Sequence, residues 1–152
     1  MLQAAEERAK AALTAVLTSK APMRALKFER LGCDPWDLED AQNLAEQIDQ
    51  QATYEAALDA LEWLMKRHPN QSWVVAPGAH AHASLHDIVS EDAGVAAEVF
   101  AAVTPTSNRK LSKDIAKLAG TGFAFRYVFY RDAAMSWSER TVDGVHVVSL
   151  GQ

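Results

Sequence analysis

The spacing of apolar residues divides the chain into a helical first part and a second part that mixes strands and helices. Residues 3–18 combine alanine and charged residues with apolar side chains at helical spacing, which predicts a first helix. Residues 20–33 fit either a short helix or a strand. From residue 39 to residue 68 the pattern predicts one long amphipathic helix, whose apolar stripe is Leu44, Ile48, Leu58, Leu61 and Met65.

After Pro69 the pattern changes to short extended runs. Residues 72–76, 84–90 and 95–103 are predicted as three strands, and residues 91–94 as the hairpin turn between the second and the third. The third run, VAAEVFAAV, is apolar on both faces. We therefore expect it in the middle of a sheet that helices cover on both sides.

A further helix and two further strands complete the predicted order. Ser107 is a reasonable cap for a helix with the buried stripe Leu111, Ile115 and Leu118. Strands at 123–130 and 145–150 follow. Because the helix links the third strand to the fourth, those two strands are expected to be parallel.

This order predicts an α/β fold with a mixed central sheet of about five strands flanked by helices. We expect a single domain over residues 1–152, in which residues 1–40 are an N-terminal helical extension and residues 41–152 form the core.

Composition and charge narrow the class of protein. Apolar residues make up 49% of the chain and charged residues 23%, as in a globular protein. There is no apolar run near the ~18 residues of a membrane helix, and the first helix carries charges where a secretory signal is apolar. Cys33 is the only cysteine, so no intrachain disulfide forms. We expect a cytoplasmic protein without a membrane partner.

The net charge of −5 is unevenly distributed. Residues 34–62 contain nine acids and no base, whereas residues 107–126 contain five bases and one acid. Such a distribution suits a polyanion bound near a metal site, or an acidic and a basic region that pair with each other.

Two acids are the main candidates for chemistry. Glu98 interrupts an apolar strand, where a carboxylate must be neutralised, paired or bound to a metal. Asp87 lies at the end of the preceding predicted strand, so the hairpin brings the two carboxylates side by side. A hard divalent cation, Mg²⁺ or Mn²⁺, relieves their repulsion and can activate a water for phosphodiester hydrolysis.

From residue 43 to residue 149, the order of elements and these acids resemble the restriction-endonuclease-like PD-(D/E)XK nuclease superfamily. The resemblance implies a core of order αβββαβ, with Asp87 and Glu98 as catalytic metal ligands. It also places Glu55 or Gln51, on a polar helix line that begins at Gln47, where many members contribute a supporting acid. A second interpretation of that line is a solvated helix edge.

The resemblance fails at one position, because Phe100 stands where the motif has its lysine. Some members recruit this lysine from another element, which makes Lys110 or Lys113 on the next helix the candidate, with Asn108 as a neighbour. Nucleic acid would then be contacted by Asn108, Arg109 and Lys117. The basic helix is also compatible with a solvated face that balances the acidic helix.

Four alternatives remain open from the sequence. Glu98 can instead form a structural ion pair with Arg126 or Lys113. A nuclease-like fold without cleavage can serve as a module that binds protein or nucleic acid, and residues 1–40 can form a homodimer interface. The histidines His80, His82 and His86 suggest either a zinc site or a solvated loop.

Overall fold

The computed structural model describes residues 1–77, 86–134 and 136–151. The chain forms two compact units, Met1–Ala52 and Thr53–Gln152. The helix Leu44–Arg67 begins in the first unit and ends in the second.

The first unit is mostly helical. It contains α1 (Leu2–Leu17), α2 (Pro22–Phe28), the two-stranded antiparallel sheet of β1 (Gly32–Cys33) and β2 (Ala41–Gln42), and the start of α3 (Leu44–Arg67). The first helix is thus confirmed, and the undecided segment contains a helix followed by a short strand. α3 begins at Leu44 rather than near residue 39, because the preceding residues pair in β2.

Gln47 connects the elements of the first unit. Its side chain is 1% exposed, donates from Nε2 to the Ala5 carbonyl at 2.7 Å, and accepts at Oε1 from the Cys33 amide at 3.1 Å. These bonds satisfy two buried backbone groups. Gln47, the first residue of the predicted polar line, is therefore a structural residue of α1, β1 and α3.

The second unit is built on a six-stranded mixed sheet. Its strands are β3 (Trp73–Val75), β4 (Ile88–Ser90), β5 (Val95–Ala101), β6 (Phe125–Arg131), β7 (Ser138–Val142) and β8 (Val145–Ser149), in the spatial order β3-β4-β5-β6-β8-β7. β3, β4 and β5 are antiparallel, β5, β6 and β8 are parallel, and β7 is antiparallel to β8. The sequence had predicted about five strands; β7 is the strand it missed.

The helix α4 (Lys110–Ala119) connects β5 to the parallel strand β6, as predicted. It begins at Lys110, because Ser107 starts a short 3₁₀ turn instead of capping the helix, and the cap position belongs to Arg109. The predicted stripe is buried: Leu111, Ile115 and Leu118 are 9%, 8% and 0% exposed.

Each face of the sheet has its own apolar core. On one face Val95, Ala97 and Val99 pack with the α3 residues Ala56, Ala57, Ala60 and Leu64. On the other face Ala96 and Phe100 pack with Leu111, Ile115 and Leu118 of α4. The first six residues of β5 are buried, as expected for a strand covered on both faces.

The predicted apolar stripe of α3 is wrong for three of its five residues. Ile48, Leu58 and Met65 are 59%, 43% and 52% exposed. Small alanine side chains face the sheet instead, and they allow the helix backbone to approach it closely.

The described part of the chain is therefore an α/β structure with four α-helices, a mixed six-stranded sheet and a small two-stranded sheet. None of its helices combines the length and the hydropathy that crossing a membrane requires.

Candidate active site

The register of the β4–β5 hairpin brings the two candidate acids together. Ile88 pairs with Ala97, so one further step along the same register places Asp87 opposite Glu98. Asp87 is 6% exposed and Glu98 is 4% exposed. Two carboxylates in this arrangement need neutralisation, since burial and mutual repulsion both disfavour the charged forms.

The backbone of β5 fixes the Asp87 carboxylate. Its Oδ2 accepts a hydrogen bond from the Val99 amide at 2.7 Å, and the Asp87 carbonyl accepts from the Ala76 amide at 2.9 Å. The side chain is thus held at the end of the hairpin by a strand that is itself paired on both sides.

Glu98 is held by two basic side chains. Its Oε1 lies 2.5 Å from Lys117 Nζ and 2.5 Å from His86 Nδ1. The Lys117 side chain is 47% exposed, so the ion pair joins a buried acid on β5 to a lysine on α4 that also reaches solvent. The His86 ring also contacts Phe123, at 5.4 Å between ring centroids.

These partners differ from the two that the sequence suggested for a structural pair. Arg126 donates from Nη1 to the Ala119 carbonyl at 3.3 Å, at the end of α4. Lys113 is exposed. Lys117 takes the place beside Glu98 that had been predicted for Lys110 or Lys113.

A cleft of about 500 Å³ opens beside the acid pair. The residues that line it come from α3, the β4–β5 hairpin, and α4 with its preceding turn: Thr53, Asp87, Glu98, Val99, Phe100, Ala101, Ala102, Asn108, Lys110 and Lys117. Two buried acids and two lysines therefore share one opening.

Phe100, at the position where the resemblance predicts a lysine, belongs to the apolar core. It lies on the same face of β5 as Glu98 and is 4% exposed. Its ring stacks on Tyr130, with 5.9 Å between centroids, and packs with the α4 stripe. A lysine here would replace a core aromatic side chain with a charge.

Lys110 is held by a third buried acid, Asp114. Its Nζ lies 3.0 Å from Asp114 Oδ1 and 5.9 Å from the centroid of the Phe100 ring. Asp114 is 4% exposed, and burial raises the pKa of its carboxyl above the usual value despite the nearby Lys110. Among the described residues, Asp114 Oδ2 has no hydrogen-bond partner.

The other predicted site residues fall in different places. Asn108 lines the cleft, with a left-handed backbone at φ 53°. Arg109 is exposed and lines a separate cleft with Arg140. Glu55 is exposed on α3 and is not among the cleft residues, whereas Thr53 of the same helix is. Gln51 belongs to the first unit.

The predicted histidine cluster is only partly described. His80 and His82 lie outside the described residues. His86, which the sequence suggested only for a zinc site or a solvated loop, contacts Glu98 instead, and its position directly before Asp87 was a usable signal for that contact. Within the described ranges, no group of three or more His, Cys, Asp or Glu side chains is arranged to hold a metal ion.

Asp87 and Glu98 are nevertheless oxygen ligands of the kind that a magnesium-like cation uses. Mg²⁺ is commonly held by one or two carboxylates, with waters and substrate phosphate oxygens as the remaining ligands. Asp87 and Glu98 provide two hard oxygen donors at one edge of the cleft. They are the residues that would hold such an ion.

Comparisons of the chain with protein-family models, curated proteins and solved structures each found no match.

Proposed function

We propose that this chain is a divalent-metal-dependent nuclease, a divergent relative of the restriction-endonuclease-like PD-(D/E)XK superfamily. Asp87 and Glu98 are its ligands for Mg²⁺ or Mn²⁺, and Lys117 is its displaced lysine. The observation that carries the proposal is the 2.5 Å contact between Lys117 Nζ and Glu98 Oε1 at the cleft. Lys117 supplies from α4 the positive charge that β5 lacks, because Phe100 stands at the position where the motif has its lysine.

The order of elements also supports the proposal. α3, the three antiparallel strands β3, β4 and β5, the helix α4 and the parallel strand β6 follow one another in the order that the resemblance implies. Asp87 directly precedes β4 rather than ending a strand, Glu98 lies opposite it in the middle of β5, and Lys117 lies on the helix that follows.

Each residue has a distinct role in phosphodiester hydrolysis. A bound divalent cation supplies polarisation of the phosphodiester and a more acidic water. Asp87 is fixed by the Val99 amide, so its carboxylate is preorganised. His86 orients Glu98 by binding its Oε1. The Lys117 side chain is half-exposed, and it lines the cleft. Its ammonium can there donate a hydrogen bond to a phosphate oxygen and stabilise the negative charge that develops on it.

A second function is favoured by a different feature of the same contacts. Lys117 and His86 already neutralise and bond Glu98, as in a structural ion-pair network. With Phe100 in the motif position, the fold would then be a module that binds nucleic acid, a protein partner or a second copy of itself without cleavage. Cleavage assays separate these two functions.

The test measures Mg²⁺- or Mn²⁺-dependent cleavage of labelled single-stranded, duplex and branched DNA and of RNA. The nuclease proposal expects cleavage by the wild type and losses of about 10²–10³-fold in Glu98→Gln, Asp87→Asn and Lys117→Met. Lys113→Met removes the same charge from the same helix and distinguishes Lys117 from its neighbour. No cleavage of any substrate, or equal losses in both lysine variants, would reject the catalytic assignment.

A further inference from the structure

Lys110 is a second lysine in the cleft, besides the Lys117 that pairs with Glu98. Its ammonium is bound instead to Asp114 at 3.0 Å, and its side chain is 45% exposed. The aromatic face of Phe100 lies 5.9 Å away on the other side. Both neighbours restrict the ammonium while leaving the side chain accessible from the cleft.

The pairing of Lys110 with Asp114 is an inefficient way to stabilise a helix. An exposed lysine and acid at this spacing contribute only about 0.3–0.5 kcal/mol. Here the acid is buried, and its Oδ2 has no hydrogen-bond partner among the described residues, which is unfavourable. The arrangement therefore needs a reason other than stability, and fixing the position of Lys110 is one.

The spacing of the two lysines suits consecutive phosphates of one strand. Lys110 and Lys117 are seven residues apart on α4, which is about 10 Å along the axis and nearly the same helical face. The bond to Asp114 draws the Lys110 ammonium about one turn, or about 5 Å, toward Lys117. Along the helix axis this leaves about 5 Å between the Lys110 ammonium and the level of the Lys117 Cα, which is comparable to the distance between neighbouring phosphates of a strand, whose axial rise alone is about 3.4 Å per nucleotide.

We propose that Lys110 forms a second phosphate subsite, next to the phosphodiester that faces Lys117, Asp87 and Glu98. The ligand class is an oligonucleotide strand with at least two consecutive phosphodiesters. Asp114 is the positioning residue for Lys110, the Phe100 ring limits how far the ammonium moves, and Asn108 lies at the same cleft. That the phosphodiester beside this subsite is the one that is cleaved rests on the proposed function.

Kinetics with two substrates test the subsite. Bis(4-nitrophenyl) phosphate has one phosphodiester and engages only the acid pair and Lys117, whereas a labelled oligonucleotide engages both subsites. Lys110→Met is expected to raise KM for the oligonucleotide about tenfold, with kcat within about twofold and no change for the small substrate. Asp114→Asn should give a smaller rise in KM in the same direction.

The charge-matched control is Lys66→Met, which removes a lysine from an exposed pair with Glu62 on α3. It should leave both substrates unaffected. Equal effects of Lys110→Met on the two substrates, or no effect on either, would overturn the subsite.

Binding without metal separates this inference from the nuclease proposal. Fluorescence anisotropy of a labelled oligonucleotide in EDTA measures affinity and its dependence on salt. Lys110→Met should weaken binding about tenfold and reduce the slope of log affinity against log salt by about one, whereas Lys66→Met should not. If this occurs in a protein that cleaves nothing, the subsite stands and the nuclease proposal fails. If the wild type binds no oligonucleotide, the subsite is refuted.

Discussion

The contact between Lys117 and Glu98 predicts a measurable energetic coupling in the folded second unit. Lys117→Met removes one partner of a buried acid, a change that costs about 3–5 kcal/mol when both partners are buried. Lys117 is 47% exposed and Glu98 keeps the bond from His86, so both screening by solvent and the remaining partner reduce that figure. We expect a loss of about 1–3 kcal/mol in the free energy of unfolding.

A double-mutant cycle with Glu98→Gln isolates the pair. Glutamine keeps an acceptor oxygen beside both basic side chains but removes the charge, so the ion-pair component is lost. The double variant should be less destabilised than the sum of the single variants by about 1–2 kcal/mol. For a chain of this size each kcal/mol corresponds to a shift of about 2–4 °C in Tm.

Urea denaturation followed by tryptophan fluorescence provides the assay. Of the four tryptophans, Trp63, Trp73 and Trp137 belong to the second unit and Trp36 to the first. A Trp36→Phe background therefore limits the signal to the unit that contains the site. Additivity of the two single variants within about 0.5 kcal/mol would refute the contact as an interaction in solution, and with it the basis for assigning Lys117 to the site.

Two further predictions concern the stability of the fold. Burial raises the pKa of Asp114 above its value of 3.8 in the unfolded chain, so the folded state binds this proton more readily than the unfolded state does. Protonated Asp114 therefore adds to the free energy of unfolding below pH 3.8, and this contribution is lost as the pH rises through the folded pKa. In urea denaturation, Asp114→Asn should therefore become more stable relative to the wild type as the pH rises from 3.8 through the folded pKa, and a constant difference would contradict this. Gln47→Leu leaves the Ala5 carbonyl and the Cys33 amide without their bonds, so we expect a loss of about 2–4 kcal/mol. A loss below about 1 kcal/mol, measured in the Trp36-containing protein, would contradict the structural role of Gln47.

The parts of the fold that were predictable share a strong local signal. β5 is apolar on both faces, and α4 has an unambiguous buried stripe, so the β5–α4–β6 connection could be predicted from sequence. Glu98 could also be identified from the sequence, because it is the only charged residue in a strand whose other residues are all apolar.

The parts that were missed lack that contrast or depend on tertiary packing. β7 has the sequence SERTV and exposes most of its residues, so it shows no apolar alternation. In α3 three alanines, Ala56, Ala57 and Ala60, are buried while several larger apolar side chains are exposed, which is the opposite of what hydrophobicity alone predicts. The partner of Glu98 depends on how α4 lies on β5, and the sequence offers four lysines and arginines on or beside that helix without ranking them.

The edges of the six-stranded sheet restrict how this protein can assemble. β3 has only three residues, and β7, at the opposite edge, carries Glu139 and Arg140. Short or charged edge strands discourage the addition of another strand from a neighbouring molecule. A homodimer formed by the second unit would therefore join through side-chain surfaces instead of a continuous intermolecular sheet, and the chain should resist edge-to-edge aggregation while it is folded.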